Sequence, residues 1–216
     1  MAVSVETIIN NVARTLLDTA FRTWTRAEHV ANLNDAIRLI CGDFKLDAYP
    51  KREFVTLVAG IAQDLPAGGV ALIDITDNEV SKRSVTQTDL AILQEENRFW
   101  PRGTQQAEVE NFAADPRTPR KFYVFPPNDG SGSVRITYGA IPDELTGSSG
   151  ESVPLSDAFQ YAIERIMLSL AFTKNTARQD LSKSQAFMNE ARLALGLKSQ
   201  GQVAVAPKTS QSPGVA

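Results

Sequence analysis

The stretch KFYVFPPNDGSGSVRITYG, residues 121–139, decides how the middle of the chain folds. In its second half Val134, Ile136 and Tyr138 alternate with Ser133, Arg135 and Thr137, the two-residue period of a strand with one buried face. The first half, residues 122–127, is aromatic and β-branched and reads as a second strand that buries one row and exposes the other. Between them Asn128-Asp129-Gly130 supplies residues that tolerate positive φ, which predicts a hairpin tip over 128–132. Gly130-Ser131-Gly132 is not a phosphate loop, because a strand rather than a helix follows it. Phe122, Tyr123 and Phe125 beside Arg120 and Lys121 are the ingredients of a base-stacking platform. The acidic chain, with no second basic aromatic strand, favours core packing for them.

Outward from this stretch, KREFVTLVAG (51–60) and VALIDI (70–75) share the same texture, and clusters such as LPAGG, TDNE and PDELTGSSGES punctuate it. A long connection, residues 76–120, contains TDLAILQEENRFWP. Leu90, Ile92, Leu93, Phe99 and Trp100 in it are expected to cover the sheet, as helix or as strand. Helical periodicity flanks the strands on both sides. A first helix begins after Ser4, with Ile8, Ile9, Val12, Leu16 and Leu17 on one side, and stops within residues 18–21. Thr25 and Glu28 form a capping box for a second helix carrying Val30, Leu33, Ile37 and Ile40, which Gly42 and Pro50 end. From Ser156, Phe159, Ile163, Ile166, Met167 and Leu170 make a third stripe. From about Asp180, Phe187, Ala191 and Leu195 make a fourth, closed by Gly196. The remaining small, polar and Pro-containing residues have little to bury.

This order predicts an α+β fold: a four-helix bundle formed by the N- and C-terminal helices, with an inserted antiparallel β domain and a flexible C-terminal tail. The expected divisions are 1–50 for the first helical part, 51–153 for the β-rich insertion, 154–198 for the closing helices and 199–216 for the tail.

Composition narrows the function. The 216 residues are 43% hydrophobic and 22% charged, as in globular proteins, and the net charge of −3 disfavours a protein built to grip nucleic acid. A single cysteine, Cys41, forms no internal disulfide and suits a reduced cytoplasm; it reads as a core or seam residue. The opening MAVSVETIINN lacks the pattern of a secretion signal, and no apolar run suggests a membrane span. The lone histidine, His29, lies within the second helix and is expected at its surface or in a seam, not in a catalytic triad. Asp74, Asp77, Asn78 and Glu79 are hard oxygen donors, but their spacing does not match the calcium loop, and a polar turn, in which Asp and Asn bond their own backbone, is the better reading of them. The alternative to a structural protein is therefore a small cytosolic enzyme or binding module with a carboxylate-based metal site on Asp74 and Asp77.

Several pieces occur together in a telling order: Trp24, the capped helix with LNDAIRLI, GIAQDLP, the FWP step at residues 99–101, then FYVFPPNDGSGSVRITYGAIPDEL and a long closing helix. In this order the chain resembles, over residues 4–198, the tail tubular protein A-like head-to-tail adaptors of tailed bacteriophages. The resemblance implies a non-enzymatic virion protein of the neck, present in host cytoplasm during assembly and needing no cofactor and no membrane. It implies a homo-oligomeric ring, a dodecamer, below the portal protein, joined to a tail or nozzle protein and surrounding double-stranded DNA that passes without specific binding. A slightly acidic wall would repel phosphate and ease that passage. For the portal, the tail residues Val203, Val205, Pro207 and Val215 are the candidates, since an unfolded segment can order on a partner. For the tail-side protein the candidates are Asn128, Asp129, Gly130 and Ser131, with the loop 143–153. For the seam between subunits they are Arg22, Arg26 and Glu28.

Overall fold

The computed structural model describes residues 3–96 and 99–197. Helix α1 spans Val5–Thr15, started by the Ser4 hydroxyl, which accepts from the Thr7 amide at 3.1 Å. Ile8, Ile9, Val12 and Leu16 are buried as their spacing predicts, but the helix ends before Leu17. Leu17 takes a left-handed φ of 55° and is 84% exposed, so it leaves the apolar stripe expected of it. Helix α2 spans Arg26–Leu39 and begins with the complete Thr25–Glu28 capping box. One π-helical turn, Ile40–Phe44, follows and carries Ile40 and Cys41 into the core.

After the β region, a 3-10 turn at Asp157–Phe159, capped by Ser156, leads into α4, Gln160–Thr173; α5, Leu181–Ala194, is capped by Asp180. Gly196, at φ 72°, closes it. The sequence read one stripe on α4, but Ala162, Ile163, Ile166, Met167, Leu168 and Ala171 are all buried. The reason is position: α4 touches α1, α2 and α5, whereas α5 finds its main helical partner in α4 alone.

The α+β class is as predicted. The inserted strands are β1 (Pro50–Thr56), β2 (Gly60–Asp64), β3 (Gly69–Asn78), β4 (Thr86–Gln87), β5 (Asn111–Ala114), β6 (Lys121–Asn128) and β7 (Ser133–Ala140). They form two sheets, ordered β1-β7-β3 and β2-β6-β5-β4, antiparallel throughout except for the parallel pair of β4 with β5. The expected hairpin is therefore corrected: β6 and β7 are consecutive but lie in different sheets, and 128–132 is a crossover between them.

That crossover also corrects the reading of β6. Phe122 and Val124 pack with Ile75, Val134, Ile136 and Tyr138 in one core, while Tyr123 and Phe125 pack on a second cluster with Leu93, Trp100 and Ala113. Both rows are used because the second cluster is roofed by the connection 76–120, whose α3 (Leu90–Glu96) and 3-10 turn (Trp100–Arg102) lie over the sheet. Leu93 and Trp100 cover it as expected, whereas Ile92 and Phe99 are exposed. Pro126 and Pro127, which donate no backbone bond, sit where β2 shifts register and β5 has already ended.

Helices and sheets meet through Tyr49, which packs on both cores, and through Gly139. A Cβ on Gly139 would collide with the backbone carbonyl of Leu46, so glycine is required for that close approach.

Candidate assembly surfaces

At one end of the helical layer the α1–α2 loop meets the α4–α5 loop, and here the expected seam residues lie. Asp18 is buried, and its carboxylate accepts from the backbone amides of Arg22 (2.9 Å), Thr23 (2.7 Å) and Trp24 (2.9 Å). These bonds, that from Trp24 foremost, hold its pKa below the usual aspartate value. The nest positions Trp24, whose indole N–H donates to the Ala171 carbonyl at 3.1 Å. From the other loop, Lys174 donates to Glu28 Oε1 (2.6 Å) and to the Thr23 carbonyl (2.9 Å). Arg178 donates to the Leu16 carbonyl (3.0 Å) and lies 5.7 Å from the centre of a Trp24 ring. The Lys174 hydrogen bond, followed by the Thr25 amide, draws Glu28 down to about 2.

Glu28 and Arg26 are thus engaged inside the subunit: Arg26 bonds Glu6 at 3.2 Å and the Gly147 carbonyl at 3.4 Å. Arg22 alone of the three is exposed with no side-chain partner among the described residues. Beside this junction lies an open cavity of about 400 Å³ bordered by Leu17, Trp24, Phe172 and Arg178. Leu17 at its rim, with exposed Leu181 on the α5 side, makes this end apolar as well as cationic. Sequence reasoning missed Leu17, because its helical spacing placed it inside; the left-handed turn that closes α1, with the Leu17 amide bonded to the Arg14 carbonyl and the Asp18 amide to the Ala13 carbonyl, turns it out.

Of the two positions expected for His29, surface or seam, it takes the buried seam. Its imidazole is fully buried, 5.6 Å from the Phe21 ring centre in edge contact, and neither ring nitrogen has a hydrogen-bond partner among the described residues. Burial lowers its pKa; Asp18 and Glu28 pull the other way. Cys41 is buried in the helical core, which pushes its thiol up to about 11, so it behaves as a small apolar side chain.

The 128–132 crossover divides in two. Asn128 is fully buried: its Nδ2 donates to the Gln106 and Ala107 carbonyls (both 3.1 Å), and its Oδ1 accepts from Gly130 (2.8 Å) and Gly132 (3.3 Å). Its side chain fixes the turn through these bonds within the subunit. Asp129, Gly130 and Ser131 are exposed, and Asp129 Oδ1 holds the Ser131 amide (2.8 Å) and hydroxyl (2.7 Å). The other tail-side candidate, 143–153, is folded onto the helices. Asn34 brackets Leu145 through both its backbone groups at 2.9 Å, and Glu151 accepts from the amides of Thr146, Gly147 and Ser148. Val203, Val205, Pro207 and Val215, with the whole expected tail, lie outside the described residues.

The carboxylate-metal alternative finds no geometry. Asp77 lies 3.3 Å from Arg135 Nε, Asp74 faces Thr137 across the sheet, and among the described residues no group of three or more His, Cys, Asp or Glu is placed to hold a metal. No helix of the described residues is long and apolar enough to cross a membrane.

The family model of the SU10 adaptor protein matches residues 3–212, nearly the whole chain. The chain belongs to the SU10 adaptor protein family. The resemblance to phage adaptors is thereby borne out, and the match runs through both helical segments and both sheets. No curated protein matches this adaptor. It is a phage structural adaptor whose polar groups are bonded into turns and junctions, with side chains such as Arg22 and Leu17 exposed.

Proposed function

We propose that this adaptor closes into a ring beneath the portal, joins the capsid to the tail or nozzle protein, and lines the channel through which double-stranded DNA leaves. The observation that carries the reading is the family match over residues 3–212. The fold supports it physically. A closed head-to-tail ring needs two unlike faces on each subunit, and the chain has a helical layer and a two-sheet layer with separate cores. In this reading α1, α2, α4 and α5 act as the bundle that meets the neighbouring subunit, with Arg22 and the Leu17 rim at the seam. Arg26 and Glu28, half-buried beside it, belong to the same seam. Asp129, Gly130 and Ser131 face the tail protein, and residues 203, 205, 207 and 215 meet the portal. The net charge of −3 lets DNA pass without being gripped. Twelve copies are the number the adaptor resemblance implies.

The test is to mix the purified chain with its portal and image the product by electron microscopy. End-on views should show a ring with twelve-fold symmetry stacked on the portal. A chain that stays monomeric beside intact portals, and is missing from purified particles, would refute the proposal.

A further inference from the structure

Apart from Leu46, the large apolar side chains that the helical layer exposes among the described residues fall into two groups. Leu17 and Leu181 stand at the junction of the α1–α2 and α4–α5 loops, Leu17 on the rim of the cavity there and Leu181 next to Asp180, which lines it too. Tyr161 (48% exposed) and Leu193 (64%) form the other group around Glu190, whose carboxylate meets the Tyr161 hydroxyl at 3.4 Å and which precedes Leu193 by one helical turn on α5. The groups lie at opposite ends of one antiparallel helix pair. The Asp180 amide bonds the Phe172 carbonyl (3.1 Å) at the junction, the Ser169 and Ser184 hydroxyls meet midway (3.1 Å), and Tyr161 reaches Glu190 at the far end. From Leu181 to Leu193 the helix rises about 18 Å.

The two ends also differ in charge. At the junction Lys174 is taken by Glu28 (2.6 Å), Lys183 by Asp180 (3.3 Å), and Arg178 lies over Trp24. Arg14 and Arg22 are exposed there with no side-chain partner among the described residues. At the far end Glu164 accepts from the neutral amides of Asn11 (2.8 Å) and Gln160 (2.9 Å). Arg165 lies 3.4 Å from Glu190 and over the Tyr161 ring, and Arg192 lies over the Phe44 ring, so the Glu164 charge is left unmatched. One end is apolar and cationic, the other apolar and anionic.

A ring that closes head to tail joins two different patches of the same chain. Patches at opposite ends of one helix pair, alike in apolar character and opposite in charge, meet that requirement. A two-fold pairing of either patch with itself would set like charges together, at a cost. We infer that the loop junction of one subunit seats on the Tyr161–Glu190–Leu193 corner of the next, with Arg22 facing the carboxylates of Glu164 and Glu190 and with Leu17 and Leu181 covering Tyr161 and Leu193. The inference rests on the ring reading and names the surface that its seam residues meet.

Disulfide trapping on the full-length chain, mixed with its portal, tests this. In an Arg22→Cys/Leu193→Cys variant, mild oxidation should link subunits into a ladder on a non-reducing gel, whereas either single variant should stay monomeric. The two thiols cannot pair inside one subunit, because they stand at opposite ends of the helix pair and a disulfide needs Cα atoms about 4.4–6.8 Å apart; Cys41 is buried and takes no part. Charge reversal is the second arm. Arg22→Glu and Glu190→Arg should each lower the fraction of portals that carry a ring in electron micrographs, by about tenfold or more, through like charges at every seam. An equal mixture of the two variants should restore the rings, since each seam between unlike variants again joins opposite charges, and that recovery also verifies that both are folded. Rings that form without a ladder and survive either reversal overturn the inference and leave the ring standing. Dimers from a single cysteine variant overturn it in favour of a two-fold contact. A parent chain that forms no ring on the portal removes the ring reading and this seam with it.

Discussion

Replacing Asn128 by Ala separates a structural role from a docking role at the crossover between the two sheets. The substitution removes two bonds donated by Nδ2 (both 3.1 Å) and two accepted by Oδ1 (2.8 and 3.3 Å). The Gln106 carbonyl keeps another donor, the Asp129 amide at 3.1 Å, and the Gly132 bond is long. Two bonds are therefore lost in full, at about 0.5–1.5 kcal/mol each, and the Ala107 carbonyl and Gly132 amide left without this partner bring the expected loss to about 2–3 kcal/mol. For a chain of this size that lowers the melting midpoint by roughly 4–12 °C. Asn128→Asp is the sharper variant. It keeps the acceptor for Gly130 and Gly132 but turns a carboxylate oxygen toward the Gln106 and Ala107 carbonyls, so at neutral pH it should melt below Asn128→Ala. It should recover part of the loss as acid protonates the carboxyl and restores a donor. Exposed Asp129→Ala serves as the control, with an expected change of about 0.5 kcal/mol or less. Thermal melts of the four proteins, with portal and tail-protein binding measured at a temperature where all are folded, decide the matter. If Asn128→Ala melts within about 1 °C of the parent while binding is lost, Asn128 is a contact residue and the structural account is wrong.

Trp24→Phe keeps an aromatic ring but strips the buried Ala171 carbonyl of its donor; urea titration should show a loss of about 1–3 kcal/mol. The folded state resists protonating His29, whose pKa is lowered by burial, while the unfolded chain accepts that proton below about pH 6.5. Stability should thus be level above that pH and fall as pH drops beneath it, by up to about 1.4 kcal/mol per pH unit, and His29→Phe should remove this slope in melts taken from pH 7 to 5. Gly139→Ala drives a methyl into the Leu46 carbonyl, so the variant should be recovered largely insoluble or melt well below the parent. Cys41, buried and with its thiol raised to about 11, should resist iodoacetamide at pH 8 in the native chain and react promptly in urea, as mass spectrometry will read.

The helices were legible because their signals are local. The Ser4 and Thr25 caps, the Leu33–Ile37–Ile40 stripe and the Gly196 stop each depend on residues within a turn or two, and each is where the sequence put it. Leu17 was misread because the turn closing α1 puts it in a left-handed conformation that apolar spacing does not announce, and His29, left open between surface and seam, is decided by Phe21 from the preceding loop packing on its ring. In the sheets, alternation identified β7 but could not say which strand lies beside it. An Asn-Asp-Gly turn serves a crossover as well as a hairpin, and the choice falls to Asn128 reaching the carbonyls of Gln106 and Ala107, some twenty residues earlier. The short strands β2, β4 and β5 carry too few alternating positions to stand out, so the second sheet was invisible as such. Of the candidate contacts, Arg22 is exposed, Arg26 and Glu28 are half-buried and ion-paired within the subunit, and Asn128 is buried.

The seating of Gly139 under the Leu46 carbonyl has a mechanical side. β7 is the middle strand of its sheet, and its far end rests against the segment running from the π turn into β1, which itself returns to pair with β7. A pull on the sheets therefore reaches the helices through this short, stiff buckle and through Tyr49, both on the stretch of chain that leads into β1.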